Sequence, residues 1–439
     1  MKQKDSNKSS QRPLLVFLAA VFGFLFLLLL LLFHNHKTLK IGIFYGSNWE
    51  VPGTIHYDIF DQAIKKYEKT HPGIRVEYEE GIPSEEYSEW LSGEILKGTE
   101  PDVYMVLNED FNTLAASGAL EPLDSRIQFD RTDCSVFYDS ALRAGIYGGR
   151  RYAMPFECNP TLMFVNKTLL KEEGIPMPRA DWTWEDFYDI CSRVGKDEDG
   201  DGKPDRFGFY DYTWQQAVCS NGIGLFRKNG MESTLTDSRF QEAVRFLRRL
   251  EKTKGGYQVS ANDFDLGKVV FRPLTFSEYR TYMPYPWRIK KYSDFEWNCV
   301  SMPAGPSGSN SASMETLMVG VSARTAKKKE AWEFVKLLTM DEEIQKLIYR
   351  DASGASVLKK VTNSGEIMRL LNEDTPGESD IDLSLLNQAI EAAVPSENFL
   401  FYEEAMEKAN HVLTALVASD ADIHTGLFNL TKEIDKIIR

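Results

Sequence analysis

The chain has 439 residues, 43% of them hydrophobic, and a formal net charge of −14. That length supports one large or two ordinary domains with full cores. The acidic balance, with no basic cluster against it, excludes a phosphate backbone as partner, so no nucleic acid is expected.

The first element in chain order is residues 13–33, PLLVFLAAVFGFLFLLLLLLF, which carry no charge. At about 1.5 Å per residue such a helix spans roughly 30 Å, the hydrocarbon thickness of a bilayer. Lys2, Lys4, Lys8 and Arg12 precede it, which keeps residues 1–12 as a cytoplasmic tail and exports the rest. The flank LLFHNHK offers no small-x-small cleavage site, so an uncleaved, single-pass anchor in the cell membrane is expected.

Beyond the anchor, strand and helix patterns alternate. LKIGIFY (39–45) reads as a strand that ends in the loop GSNWE. Phe60, Ile64 and Tyr67 share one helical face, and His71-Pro72-Gly73 stops that helix. Ile74, Val76 and Tyr78 alternate with charged residues, as in a half-exposed strand. Tyr87, Trp90, Leu91 and Ile95 mark the next helix, closed by Gly98. DVYMVL (102–107) is a continuous apolar run, the pattern of a strand buried on both faces. This order predicts a parallel α/β sheet.

A second unit begins near residue 160. LMFVN (162–166) predicts a strand and KTLLKEEG a helix. In TWEDF, Thr183 and Asp186 form a capping-box start, and Phe187, Ile190, Cys191 and Val194 share the following helical face. FGFY predicts a strand, PAGPSGSNSAS (303–313) a loop, and LMVGVSA (317–323) a strand. The remainder to 439 is mostly helical in pattern. Cys134, Cys158, Cys191, Cys219 and Cys299 are scattered, odd in number and without a C-x-x-C pair. That argues against a zinc site or a dense disulfide framework and leaves one disulfide open.

Four stretches in order carry a family resemblance. They are LKIGIFYGSNWE with YEKTHPGIRVEYE; GTEPDVYMVLNEDFNTLAASGALEPLD; YGGRRYAMPFECNPTLMFVNKTLLKEEGIPMPRADWTWEDF; and SMPAGPSGSNSASMETLMVGVSARTAKKKEAWEFVKLLTMDEEIQ. Together they resemble the extracellular solute-binding proteins of ATP-driven sugar importers, the group that includes maltose-binding protein. The resemblance implies a two-lobed, periplasmic-binding-protein-like α/β fold with hinge crossovers, here behind one N-terminal transmembrane helix. It implies lobe one at 37–157 plus 322–365 and lobe two at 161–318 plus 370–439. The crossovers fall near Phe156–Pro160 and Val319–Val321. It implies capture of a small solute, expected to be a carbohydrate, by hinge closure without catalysis. The partners are then that solute and ABC permease subunits in the membrane, with the protein a monomer. Two alternatives stay open: a membrane-tethered ligand sensor for a signalling partner, and a glycan-acting enzyme.

A sugar-like ligand needs apolar faces for its C–H surfaces and convergent polar groups for its hydroxyls, at strand ends that face the cleft. Asn48, Trp49 and Glu50 follow the first strand; Asn108, Glu109 and Asp110 follow the third. Glu157 and Asn159 lie on the crossover. Tyr212 and Trp214 follow FGFY, and Trp287 lies within YMPYPWR. Packing of the aromatics and helix capping by Asp110 are the competing readings. Glu157 stands out, because a carboxylate at a hinge must meet ligand, arginine or solvent.

DEDGDGKPD (197–205) has the start of a calcium loop. Asp197, Asp199 and Asp201 hold the side-chain positions, Gly202 the turn, Lys203 the backbone carbonyl and Asp205 position nine. Position twelve, ordinarily a bidentate Glu, is Gly208, so a water or remote carboxylate must complete a structural Ca2+ site. An unliganded acidic turn is the alternative. No organic cofactor is expected, since no phosphate loop or nucleotide fingerprint is present.

Overall fold

The computed structural model describes residues 37–49, 51, 57–197, 200, 204–282, 295–374 and 382–438. Residues 13–33 lie outside these, and no helix among the described residues is long and apolar enough to cross a membrane.

A nine-stranded sheet forms the centre. In chain order its strands are β1 (Lys37–Gly42), β2 (Ile74–Tyr78), β3 (Val103–Val106), β4 (Ala153–Asn166), β5 (Phe207–Phe209), β6 (Val269–Thr275), β7 (Trp297–Val300), β8 (Met314–Val321) and β9 (Ala355–Ser356). Their lateral order is β2-β1-β3-β8-β4-β6-β5, and β7 and β9 also pair with β4. β1 pairs in parallel with β2 and β3, as the alternating pattern predicts. All four residues of β3 are buried, which is why its sequence carries no polar alternation.

β4 explains the two-lobed form. Its first half, to Pro160, pairs with β8, and its second, from Thr161, pairs with β6. One strand therefore belongs to both halves of the sheet. Every residue of β4 except Thr161 is buried, so the polar Glu157, Asn159 and Asn166 must find partners inside the protein.

The second crossover does not fall at Val319–Val321. Those residues pair with Val103–Met105 of β3, well inside lobe one, while Met314–Leu317 pair with the crossover residues Glu157–Pro160 of β4. The chain enters lobe one at Ser313, whose carbonyl accepts from the Thr161 N–H at 3.2 Å. An apolar run announces a strand, but which neighbours it pairs with is not written in the run.

Local signals behave as their chemistry requires. Helix Asp58–Thr70 buries Phe60 and Tyr67, and Gly73 follows at φ +98°. Helix Trp184–Val194 starts on the Thr183–Asp186 capping box and buries Phe187, Cys191 and Val194. All five cysteines are free thiols. Helices Tyr402–Val417 and Ile423–Ile438 join the lobe-two core through Leu413, Leu427 and Ile434. The expectation that all of 370–439 lies with lobe two is corrected by helix Leu383–Ala392. Its Leu386 and Ile390 join the buried cluster that holds Tyr138 and Ala141 of lobe one. Its Asn387 Oδ1 accepts from the Tyr138 hydroxyl at 2.7 Å, and the Ile390 carbonyl from the Ser140 hydroxyl at 2.5 Å.

Candidate functional site

The loop after β1 turns Trp49 inward against β4. The Trp49 indole Nε1–H donates to Glu157 Oε1 at 2.7 Å, and the Gly354 N–H donates to the same oxygen at 2.6 Å. Around this pair Phe44, Phe60, Phe156 and Leu317 supply apolar faces, while Asn48, Arg350 and Ser353 supply polar ones. They enclose a cavity of about 210 Å³. Ligand pockets more often run to about 300–1,000 Å³. All its lining residues come from lobe one and the adjoining crossover, so this is one wall of a site.

Glu157 meets the expectation set for a hinge carboxylate by an unexpected route. Only 4% of it is exposed. Burial pushes its carboxyl above the ordinary range, against the pull of the Trp49 and Gly354 hydrogen bonds and the nearby Arg280 charge. A Cβ on Gly354 would sit 2.4 Å from Glu157 Oε1, so only glycine lets the backbone approach this closely. Asn159 is buried and bonded through both ends of its amide: Nδ2 donates to Ser277 Oγ at 2.9 Å, and Oδ1 accepts from the Ser277 N–H at 3.0 Å. It docks helix Phe276–Thr281 onto the crossover.

Asn108 and Glu109 open helix Asn108–Ala116 of lobe one. Asp110, in the same turn, accepts from the Ser88 hydroxyl at 2.6 Å, and burial raises its carboxyl. Glu109 bears on lobe two. The Glu403 carboxyl, at the start of helix Tyr402–Val417, is pushed up by burial and then by the negative charge of Glu109. The exposed side chains of Leu400 and Phe401 precede that helix.

In lobe two, Tyr212 and Trp214 are buried, and their polar atoms are bonded within that lobe. The Tyr212 hydroxyl meets Trp184 Nε1 at 3.1 Å and Ser220 Oγ at 3.2 Å, and Trp214 Nε1 donates to Asn410 Oδ1 at 3.0 Å. The cause is local. The Gln216 side chain reaches back to the Thr213 N–H at 3.0 Å, so the chain is already entering a helix whose inner face takes both rings. Their neighbours Tyr210 and Asp211 are the more open pair. Asp211 sits at φ +61°, a conformation that Asp tolerates better than most residues. Both edge a cavity of about 590 Å³ that Tyr212 and Trp214 also line and that continues to Tyr257 and Thr414. Sequence reasoning missed them because it followed ring size, whereas helix-capping chemistry at Thr213 held the signal.

Glu50 and Trp287 lie outside the described residues, as do Asp199, Asp201 and Lys203 of the acidic loop. Two of its flanking positions are described. The Asp205 N–H donates to the Lys196 carbonyl at 2.8 Å, closing the loop's base, and Asp197 Oδ1 accepts from the Gly200 N–H at 2.7 Å. No group of three His, Cys, Asp or Glu side chains among the described residues is placed to hold a metal.

Two lobes share crossover strands, and an aromatic and acidic wall stands at their junction, an arrangement suited to holding a small ligand. Residues 53–344 match the model of the bacterial extracellular solute-binding protein family, and the chain belongs to that family. It is 22% identical over 292 residues to a binding protein of Brucella abortus (strain 2308), covering 64% of this chain and 68% of that one. It is also 22% identical over 319 residues to the galactooligosaccharide-binding protein of Bacillus subtilis (strain 168), at 70% and 72% coverage. The crystal structure of the cyclic alpha-maltosyl-1,6-maltose binding protein from Arthrobacter globiformis shares the fold. Its TM-score is 0.75 at 15% identity, over 92% of this chain and 99% of that one.

Proposed function

We propose that this protein is the solute-binding component of an ABC importer and that it captures a carbohydrate between its lobes by hinge closure. The observation that carries the reading is the Trp49–Glu157 pair, an indole pinned at 2.7 Å on the wall of an aromatic cavity at the lobe junction. A fixed ring and nearby polar groups suit the C–H faces and hydroxyls of a sugar. The names of the Bacillus and Arthrobacter relatives support the same class of ligand. Capture without chemistry fits this wall, whose one carboxylate on the crossover is committed to holding Trp49 and Gly354. Residues 13–33 tether the protein to the cell membrane with the lobes outside, where it works as a monomer with permease subunits. Asp197, Asp199, Asp201, Lys203 and Asp205 hold a structural Ca2+ that staples a lobe-two loop.

A thermal-shift screen of the detergent-solubilised full chain against mono- and oligosaccharides, with and without calcium, tests both parts. A bound sugar raises the melting temperature by mass action, and calcium raises it independently. No shift with any carbohydrate contradicts the ligand class. No shift with calcium, or one that persists in Asp197→Asn with Asp201→Asn, contradicts the metal site.

A further inference from the structure

Helix Phe276–Thr281 follows β6 in lobe two, yet its charged end reaches lobe one. Arg280 Nη2 donates to the Tyr349 carbonyl at 2.7 Å and Nη1 to the Ala352 carbonyl at 2.9 Å. These carbonyls lie at the C-terminus of helix Glu342–Asp351, where unpaired acceptors and the helix dipole favour a cation. Phe276 of the same short helix meets the Tyr349 ring edge-on, with centroids 6.5 Å apart. The contact is therefore made at both ends of the helix, across the junction.

The bonds do not stop at the cap. Ala352 opens a turn in which Ala352 and Ser353 line the cavity beside Trp49. Gly354, the next residue, donates to Glu157 Oε1 at 2.6 Å, and that oxygen holds the Trp49 indole at 2.7 Å. Gly354 has no Cβ to hold the turn away from the carboxylate. The start of the helix is equally fixed, because Asn159 of the crossover grips Ser277 through two hydrogen bonds.

We infer that Arg280 is a positioning residue that couples the attitude of lobe two to the Trp49 wall, through the turn 352–354 and Glu157. A helix gripped at Ser277 cannot absorb a lobe rotation internally, so the movement passes through the guanidinium to the turn. A role limited to capping would end at Ala352; the unbroken run through Gly354 and Glu157 carries it to the wall. The consequence for solute capture rests on the proposed function, but the coupling itself is a property of the ligand-free protein.

The test is therefore made without ligand, on the full chain with Cys134→Ser, the other four thiols being buried. Spin labels at the exposed Lys65 of lobe one and Asp189 of lobe two report the interlobe distance distribution. The Trp49 indole ¹H–¹⁵N resonance, assigned with Trp49→Phe, reports the wall. Arg280→Met keeps the stem and removes charge and donors. Arg280→Lys keeps a cation at the helix end but cannot fork to two carbonyls. Arg280→Met is expected to broaden the distance distribution and shift the indole resonance, and Arg280→Lys to do both to a smaller extent. If neither variant moves either readout, whatever happens to the melting temperature, Arg280 is only a helix cap and the coupling is refuted. A failed carbohydrate screen leaves both outcomes legible.

Discussion

At Glu157 one carboxylate oxygen holds two donors from distant parts of the chain, the Trp49 indole and the Gly354 amide. Glu157→Ala leaves both without a partner in a dry site, and each buried orphan donor costs about 1–3 kcal/mol. Urea unfolding should show that loss. Glu157→Gln keeps an acceptor and should stay within about 1 kcal/mol of the parent. The pH dependence has a definite sign. Burial raises the native carboxyl above its unfolded value, so the folded state holds the proton more tightly. This group therefore favours folding at low pH, and its contribution falls as pH rises from the ordinary carboxylate range toward the raised native value. Between about pH 5 and about pH 8 the gap in unfolding free energy should move in favour of Glu157→Gln over the parent. A gap that stays constant or moves the other way contradicts a raised carboxyl. The sequence made Glu157 conspicuous, since a charge in an apolar crossover needs a partner. It could not name the partners, because Trp49 and Gly354 are 108 and 197 residues away.

Among the elements, the short helix Phe276–Thr281 touches both lobe one and the crossover. Its docking depends on Asn159, whose side chain satisfies both the hydroxyl and the amide of Ser277. In Asn159→Ala the Ser277 N–H loses its partner, and amide exchange of residues 277–281 should accelerate while helix Trp184–Val194 keeps its protection. Equal acceleration in both would mean global destabilisation and no docking role. Helix Trp184–Val194 offers a local counterpart: Thr183→Ala removes the capping box and should cost about 0.5–2 kcal/mol by urea unfolding, without altering the lobe junction. This cap was legible, because its chemistry spans only three residues, whereas Asp110 caps no helix and instead accepts from Ser88. The same local rule explains the burial of Tyr212 and Trp214, where Thr213 starts a helix whose inner face takes both rings. The placement of β8 and of helix Leu383–Ala392 was not legible. Their patterns specify an apolar face, and several faces in a two-lobed protein could receive it.

The whole molecule is two lobes strung on β4, with a cavity wall on one side of the junction and Arg280 reaching across it from the other. This arrangement came from ordered motifs, because strand–helix alternation and four family-like stretches constrain topology even at 22% identity to curated relatives. The cleft chemistry was only partly legible. Trp49 and Glu157 do come together, whereas Tyr212 and Trp214 line a separate lobe-two cavity with Tyr210 and Asp211, the latter at a turn that no periodicity announces. Isothermal titration of the full chain, solubilised in detergent, with the carbohydrate that gives the largest thermal shift tests the central claim most directly. The account predicts saturable binding at one site per chain, weakened at least about tenfold by Trp49→Ala, since an aromatic anchor is worth upwards of about 1.4 kcal/mol. Binding unchanged by Trp49→Ala, or no saturable heat with any carbohydrate, would contradict it.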